Sequence, residues 1–262
     1  MNRFHWGKAL VKVTIAVAAL AGIILLQRSQ LNLVALRGEN PKQAEQQEAL
    51  RLKLLKQTPT FGFDNLLADW VFLNFLQYFG DQPAREKTGY DLSPEYLDLV
   101  TRRDPRFVDV YIFISNSVSY QLGQPQLAIQ LMKRGTVALS PRIDPKSFQL
   151  WRFMGLDQLL LLGDIPGSIY SHEMAAKWVA GTPYQDYASR FQQTAHFLRS
   201  DPNSRAVRVS AWGSIYAQAA MIGDQKTQER AKQEILALGG KLSEQDGKLY
   251  IGAPSESPAK KP

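Results

Sequence analysis

Apolar positions recur along residues 42–238 at the three- and four-residue spacing of helices, and Pro, Gly and Asp punctuate them. Residues 42–57 are rich in Gln, Glu, Ala, Leu and Lys, place Leu50, Leu54 and Leu55 at helical spacing, and stop before Pro59. A stronger helix is predicted over 64–79, capped by Asp64 and closed by Gly80-Asp81. It is apolar on most sides, so it is expected to be the most buried element. Truncating Trp70 within it should then cost about 3–5 kcal/mol. Further helices are predicted over 93–103, 106–122, 125–140, 145–162, 166–180, 185–199, 204–222 and 225–238. Pro in the first turn and Gly just past the end mark most of them. Only Lys248-Leu249-Tyr250-Ile251 reads as a strand, and one short strand makes no sheet. The expected fold class is all-α.

Four helices close alike, at Phe79-Gly80-Asp81, Leu122-Gly123-Gln124, Leu162-Gly163-Asp164 and Ile222-Gly223-Asp224. Their glycines are 43, 40 and 60 residues apart. Helix–turn–helix units at such periods predict a stacked α-solenoid of antiparallel helix pairs. The residues resemble the tetratricopeptide repeats. Trp151-Arg152-Phe153-Met154-Gly155 follows that family's Trp-x-x-Leu-Gly start, with Met for Leu. Gly163-Asp164 fits the inter-helix turn, and Ser168 and Ala175 the small positions of the second helix. In the preceding unit Gly123, Ala128 and Gly135 fill the matching places, with Pro141 one residue late. The first helices are longer than the family's, and Gln228 stands at a small position. More narrowly, Gly62-Phe63-Asp64-Asn65-Leu66-Leu67-Ala68-Asp69-Trp70, with Phe79-Gly80-Asp81 and Asp104-Pro105-Arg106-Phe107, resembles single-anchor TPR-like proteins of bacteria, cyanobacteria especially. That resemblance implies an architecture, and a role in assembling or maintaining membrane complexes, photosynthetic ones included.

An anchor is expected ahead of the helices. Val13–Leu26 is 14 residues without a charge. At 1.5 Å per residue it reaches roughly 21 Å, short of a hydrocarbon core of about 30 Å. If Lys12 snorkels, Ala9–Gln27 becomes long enough to span, with Trp6 at the interface. A cleaved signal peptide competes, because Ala19-Leu20-Ala21 has the small-x-small form of a cleavage site. Against it, the apolar run continues through Ile23-Ile24-Leu25-Leu26. The expected organisation is a transmembrane anchor at 1–27, a linker at 28–41, a TPR-like domain at 42–251 and a disordered tail at 252–262. Arg3, Lys8 and Lys12 in the acid-free N-terminal flank favour a cytoplasmic N-terminus. The body would then lie in the periplasm, the cell exterior or the thylakoid lumen, with residues 9–27 in the bilayer.

Composition narrows the chemistry. The 262 residues are 45% hydrophobic and 21% charged, as in a globular chain. No cysteine is present, which excludes disulfides, thiolate metal sites and a cysteine nucleophile. The net charge of +7 sits mostly in residues 1–60, which hold nine Lys/Arg and three acids, while the remainder is nearly neutral. A nucleic-acid partner is therefore not expected. His172-Glu173 has Ala176 where a helical zinc site needs a second His, so the pair reads as polar helix surface. Neither a Gly-x-Ser-x-Gly elbow nor a P-loop occurs. Asn65 and Asp69 share a helix face. Arg102, Arg103 or Arg106 could pair with them as a structural ion pair or cap, the alternative being a ligand-binding acid.

No catalytic, cofactor or metal residue is assigned. The leading reading is a non-enzymatic, membrane-anchored scaffold or assembly factor that binds a protein partner in a solenoid groove. The first helices, about 106–122, 145–162 and 204–222, would line it. Their polar residues Asn116, Ser119, Arg152, Asp157, Gln158, Arg208 and Gln218 are the candidates, and Asn116, Arg152 and Arg208 are assigned to partner binding. One alternative is an extracytoplasmic enzyme on a helical scaffold, acting for instance on cell-wall glycan. The Glu-Ser pair of lytic transglycosylases occurs only as Glu256-Ser257 in the tail. The other is a lipid or small-molecule binder with a pocket among the helices.

Overall fold

The computed structural model describes residues 12–22, 24–25, 40–200, 205–245 and 248–252. The chain divides into two units, residues 1–50 and 51–262. The boundary falls inside α2 (Pro41–Gln57).

In the first unit, residues 12–22 and 24–25 are helical (α1), and residues 12–21 are exposed. Among the described residues no helix is long and apolar enough to cross a membrane. The anchor expected over Ala9–Gln27 is corrected accordingly. With it go the bilayer contact through 9–27, the single-pass topology, and the cytoplasmic N-terminus with an extracytoplasmic body. The outer parts of that segment, most of the linker and the tail beyond Gly252 lie outside the described residues.

The second unit is built of helix pairs. α3 (Asp64–Gly80) packs on α5 (Ser93–Arg103), with the short α4 (Gln82–Thr88) between them in sequence. α6 (Val110–Phe113) continues as a π-helix over Ile114–Gln121, which packs on α7 (Pro125–Ala138). α8 (Phe148–Asp157), also prolonged by a π-helix over Gln158–Leu162, packs on α9 (Ile165–Val179). α9 packs in turn on α10 (Ala188–Ser200), and α11 (Arg205–Met221) on α12 (Gln225–Ala237). This helix-pair packing is consistent with a solenoid. Small residues let paired helices approach. A Cβ on Gly135 would lie 2.5 Å from the Tyr111 ring and 2.8 Å from Leu150, and one on Gly155 would lie 2.8 Å from His172.

Three of the recurring glycines adopt left-handed φ, 59° at Gly123, 68° at Gly163 and 71° at Gly223, which stops each helix. Asp164 and Asp224 then cap the next helix by accepting from Gly167 N and Thr227 N. Gly80 differs, being the last residue of α3, although Asp81 still caps α4 through Ala84 N. After Gly223 the Asp224 amide reaches back five residues to Ala219 O, the usual closure. After Gly123 and Gly163 it reaches back six, from Gln124 to Val118 O and from Asp164 to Gln158 O. The wider π turn accommodates that extra residue.

Two features depart from expectation. α4 was not anticipated, being short and polar. Residues 241–252 form an antiparallel hairpin, β1 (Lys241–Gln245) with β2 (Lys248–Gly252), in which Lys241 pairs with Gly252. The strand expected alone therefore has a partner in a polar segment that lacks a strand pattern. The hairpin lies on α11 and α12, where Leu242 and Ile251 join a core of Leu161, Val209, Trp212, Ile215, Ala231 and Ile235.

Candidate functional site

The polar residues of the first helices divide into an inward set and an outward set. Asp157, at the end of α8, is fully buried. Its carboxylate accepts from Ser115 Oγ at 2.8 Å and from Ser119 Oγ, both on the first π-helix. Burial pushes the Asp157 carboxyl up to about 6, against the pull of the two hydroxyls. The Gln158 amide pairs with Ser171 Oγ at 2.6 Å, and Ser168 Oγ donates to Gly155 O at 2.8 Å. His172 is buried too, its Nδ1 donating to Ser168 O at 2.8 Å, and burial lowers its pKa. Ser119, Asp157, Gln158 and His172 thus hold helices together and are not groove or surface residues. Their polar character alone made Ser119, Asp157 and Gln158 candidates for an outward face, and the structure buries all three.

Arg152 belongs to the outward set. It projects from α8 into a pocket of about 400 Å³ shared with the segment 184–191. Phe148 and Phe191, both buried, form the floor with ring centroids 5.9 Å apart. Tyr184 and Tyr187 complete the walls, 5.2 and 6.1 Å from the Phe148 ring. Arg190 lines the same pocket, its guanidinium 5.7 Å from the Tyr187 ring, while that of Arg152 lies 5.5 Å from Phe153. Among the described residues neither arginine has an acidic partner. No repeat motif marked Tyr184, Tyr187 or Arg190; only their aromatic and basic character in a Gly-Thr-Pro-led loop hinted at them.

Arg208 is half-buried against Gly163, and its Nη2 donates to Leu162 O at 3.2 Å. Trp212 Nε1 takes the adjacent Leu161 O at 3.2 Å, and Arg230 Nη1 takes Leu122 O at 2.7 Å. The α11–α12 pair therefore satisfies the last carbonyls of both π-helices, groups that no intrahelical amide can reach. Burial lowers the Arg208 pKa, with Glu234 opposing. Asn116 is exposed on the first π-helix. The pocket that holds Arg152 includes neither Asn116 nor Arg208.

The ion pair expected at Asn65 and Asp69 moves. Asn65 and Asp69 are exposed, and Asp64 takes the ion pair instead, 3.0 Å from Arg103 Nη1. Asp64 also accepts from Thr60 Oγ1 at 2.8 Å, and these bonds lower its pKa. Arg103 Nη2 reaches the carbonyls at the end of α2, nearest Thr58 O at 2.9 Å.

α3 is only half covered. Val71, Phe72, Phe75 and Tyr78 are buried, Phe75 among the rings of Phe72, Phe79, Tyr96 and Phe113. On the other side Leu66 is 66% exposed, Leu73 59% and Trp70 36%, with Phe61 and Phe63 exposed just ahead. Trp70 lies beneath the Arg51 guanidinium at 4.4 Å. The expectation that α3 is the most buried helix fails because only one of its two apolar faces meets α5. Phe61 has φ 51°, a left-handed conformation rare for a bulky residue.

Among the described residues no group of three or more His, Asp or Glu is placed to hold a metal ion. The membrane-anchored part of the resemblance is overturned, since among the described residues no helix is long and apolar enough to cross a membrane, and nothing confirms the likeness to the tetratricopeptide repeats. No family model, curated protein or solved structure matches the chain.

Proposed function

We propose that the helix-pair domain is a non-enzymatic scaffold that binds a partner protein through the uncovered face of α3. The observation that carries this reading is the row Phe63, Leu66, Trp70 and Leu73, spaced to fall on one side of the helix and exposed to solvent. Scattered apolar residues on a surface are ordinary, but a continuous row of large ones marks an interaction surface. Leu54 of α2 is also exposed. Asn116, exposed on the first π-helix, is a second proposed contact for a partner protein.

The test is the double variant Leu66→Glu/Leu73→Glu. Both side chains already face water, so its melting temperature should match that of the wild type. Cross-linking from position 69 in native cells should yield a protein adduct with the wild type and not with the variant. An adduct that persists in the folded variant, or none with the wild type, refutes the reading.

A further inference from the structure

The pocket at Arg152 joins two features seldom left idle together. Its floor and walls are four aromatic rings, and its rim carries two guanidinium groups without acidic partners among the described residues. Its volume of about 400 Å³ is within the range of small-molecule sites. Each half has a complementary chemistry. Flat apolar rings accept another flat ring by offset or edge contact. A guanidinium offers a planar fork that matches the two oxygens of a carboxylate or phosphate, and does so more strongly beside apolar walls than in open water. Phe148 and Phe191 belong to the core, whereas both arginines are exposed and, among the described residues, form no ion pair.

We propose that this pocket is a binding site for a small aromatic anion, a planar ring bearing a carboxylate or phosphate. The ring lies against Tyr184 and Tyr187 above Phe148, and the anionic group lies between Arg152 and Arg190. Gln149, also on the rim, adds an amide for a ring substituent. The site is distinct from the α3 face and does not depend on a protein partner.

Phenyl phosphate and benzoate serve as probes, titrated into the full chain by calorimetry, with inorganic phosphate and benzyl alcohol as half-ligands. Saturable binding of at least one aryl anion is expected, at least tenfold tighter than either half-ligand. Arg152→Gln/Arg190→Gln should keep the melting temperature and weaken binding tenfold or more. Tyr187→Ala, at a half-exposed wall, should weaken the aryl anion while leaving inorganic phosphate unchanged. Absence of saturable binding by both aryl anions overturns the proposal. So does equal affinity for inorganic phosphate, or undiminished binding by the folded double arginine variant.

Discussion

The Asp157 carboxylate accepts the Ser115 hydroxyl at 2.8 Å, joining the end of α8 to the π-helical end of α6 across 42 residues of chain. Ser119 takes the other carboxylate oxygen. The carboxyl has no cationic partner among its contacts, and burial raises its pKa to about 6, well above the ordinary carboxylate range. The folded state therefore holds this proton more tightly than the unfolded chain. Its stabilising contribution is complete below about pH 4 and is lost as pH rises through about 6. Asp157→Asn removes the titration and can still pair with both serines. The variant should gain stability relative to the wild type by about 2 kcal/mol between pH 4 and pH 7. Urea denaturation of both proteins across that range checks it, and a difference that does not change with pH would exclude an elevated pKa.

Asp98 should behave in the opposite sense. Burial pushes its carboxyl up, but bonds from Arg134, Lys56 and Arg102 outweigh that and hold it at about 2. The ion pairs are 2.6 Å to Arg134 and 3.0 Å to each of the others. Stability from this cluster is present above about pH 4 and is lost as pH falls toward 2. Asp98→Asn should cost about 1–2 kcal/mol at pH 7, allowing for solvent screening, and nothing near pH 2. Thermal melts at the two pH values measure the difference.

Arg208 and Arg152, alike in sequence, should differ in consequence. Arg208→Ala deletes the donor to Leu162 O and the cover over Gly163, and should cost about 1–2 kcal/mol. Arg152→Ala touches no such bond and should stay within about 0.5 kcal/mol. Chemical denaturation of the single variants distinguishes the two.

Gly135→Ala should destabilise, although alanine is the better helix former by about 1 kcal/mol. The added methyl meets the Tyr111 ring at 2.5 Å and Leu150 at 2.8 Å, where α7 lies against the helices on either side of it. Overpacking of this kind costs about 1–3 kcal/mol. A melting temperature at or above that of the wild type would mean that the pair can separate freely.

Trp70 and Trp212 rank opposite to the local pattern. Trp212 is 2% exposed, within the core under the hairpin, and its truncation to Ala should cost about 3–5 kcal/mol. Trp70 keeps one face in water and a cation–π contact with Arg51, so its truncation should cost about 1 kcal/mol. Paired thermal melts give the ranking directly.

Local chemistry by itself determined many of the helix ends, though not α4 or the close of α3. Gly163 takes a left-handed φ and Asp164 caps the next helix within a few residues of chain, so the Leu-Gly-Asp pattern suffices to place the turn. The small positions Ala128, Gly135, Ser168 and Ala175 were legible for a related reason, since a helix of regular period that must approach another shows a stripe of small residues. The tertiary structure alone decided which side of each helix is covered. α3 carries apolar residues on two faces, and nothing within residues 64–79 says that α5 covers one and leaves Leu66, Trp70 and Leu73 bare. The π turns belong to the same class. One extra residue in each is fixed by the bonds of Ser115 and Ser119 to Asp157 and by the carbonyls that Arg208 and Arg230 occupy, partners 38 to 108 residues away. The pocket is likewise assembled from residues 148–152 and 184–191, which share no motif and meet only because α9 carries the chain back past α8. Turn and cap geometry depend on adjacent dihedral angles and short hydrogen bonds, which a sequence encodes in place. Burial depends on what arrives from elsewhere in the chain, and no window of residues contains that.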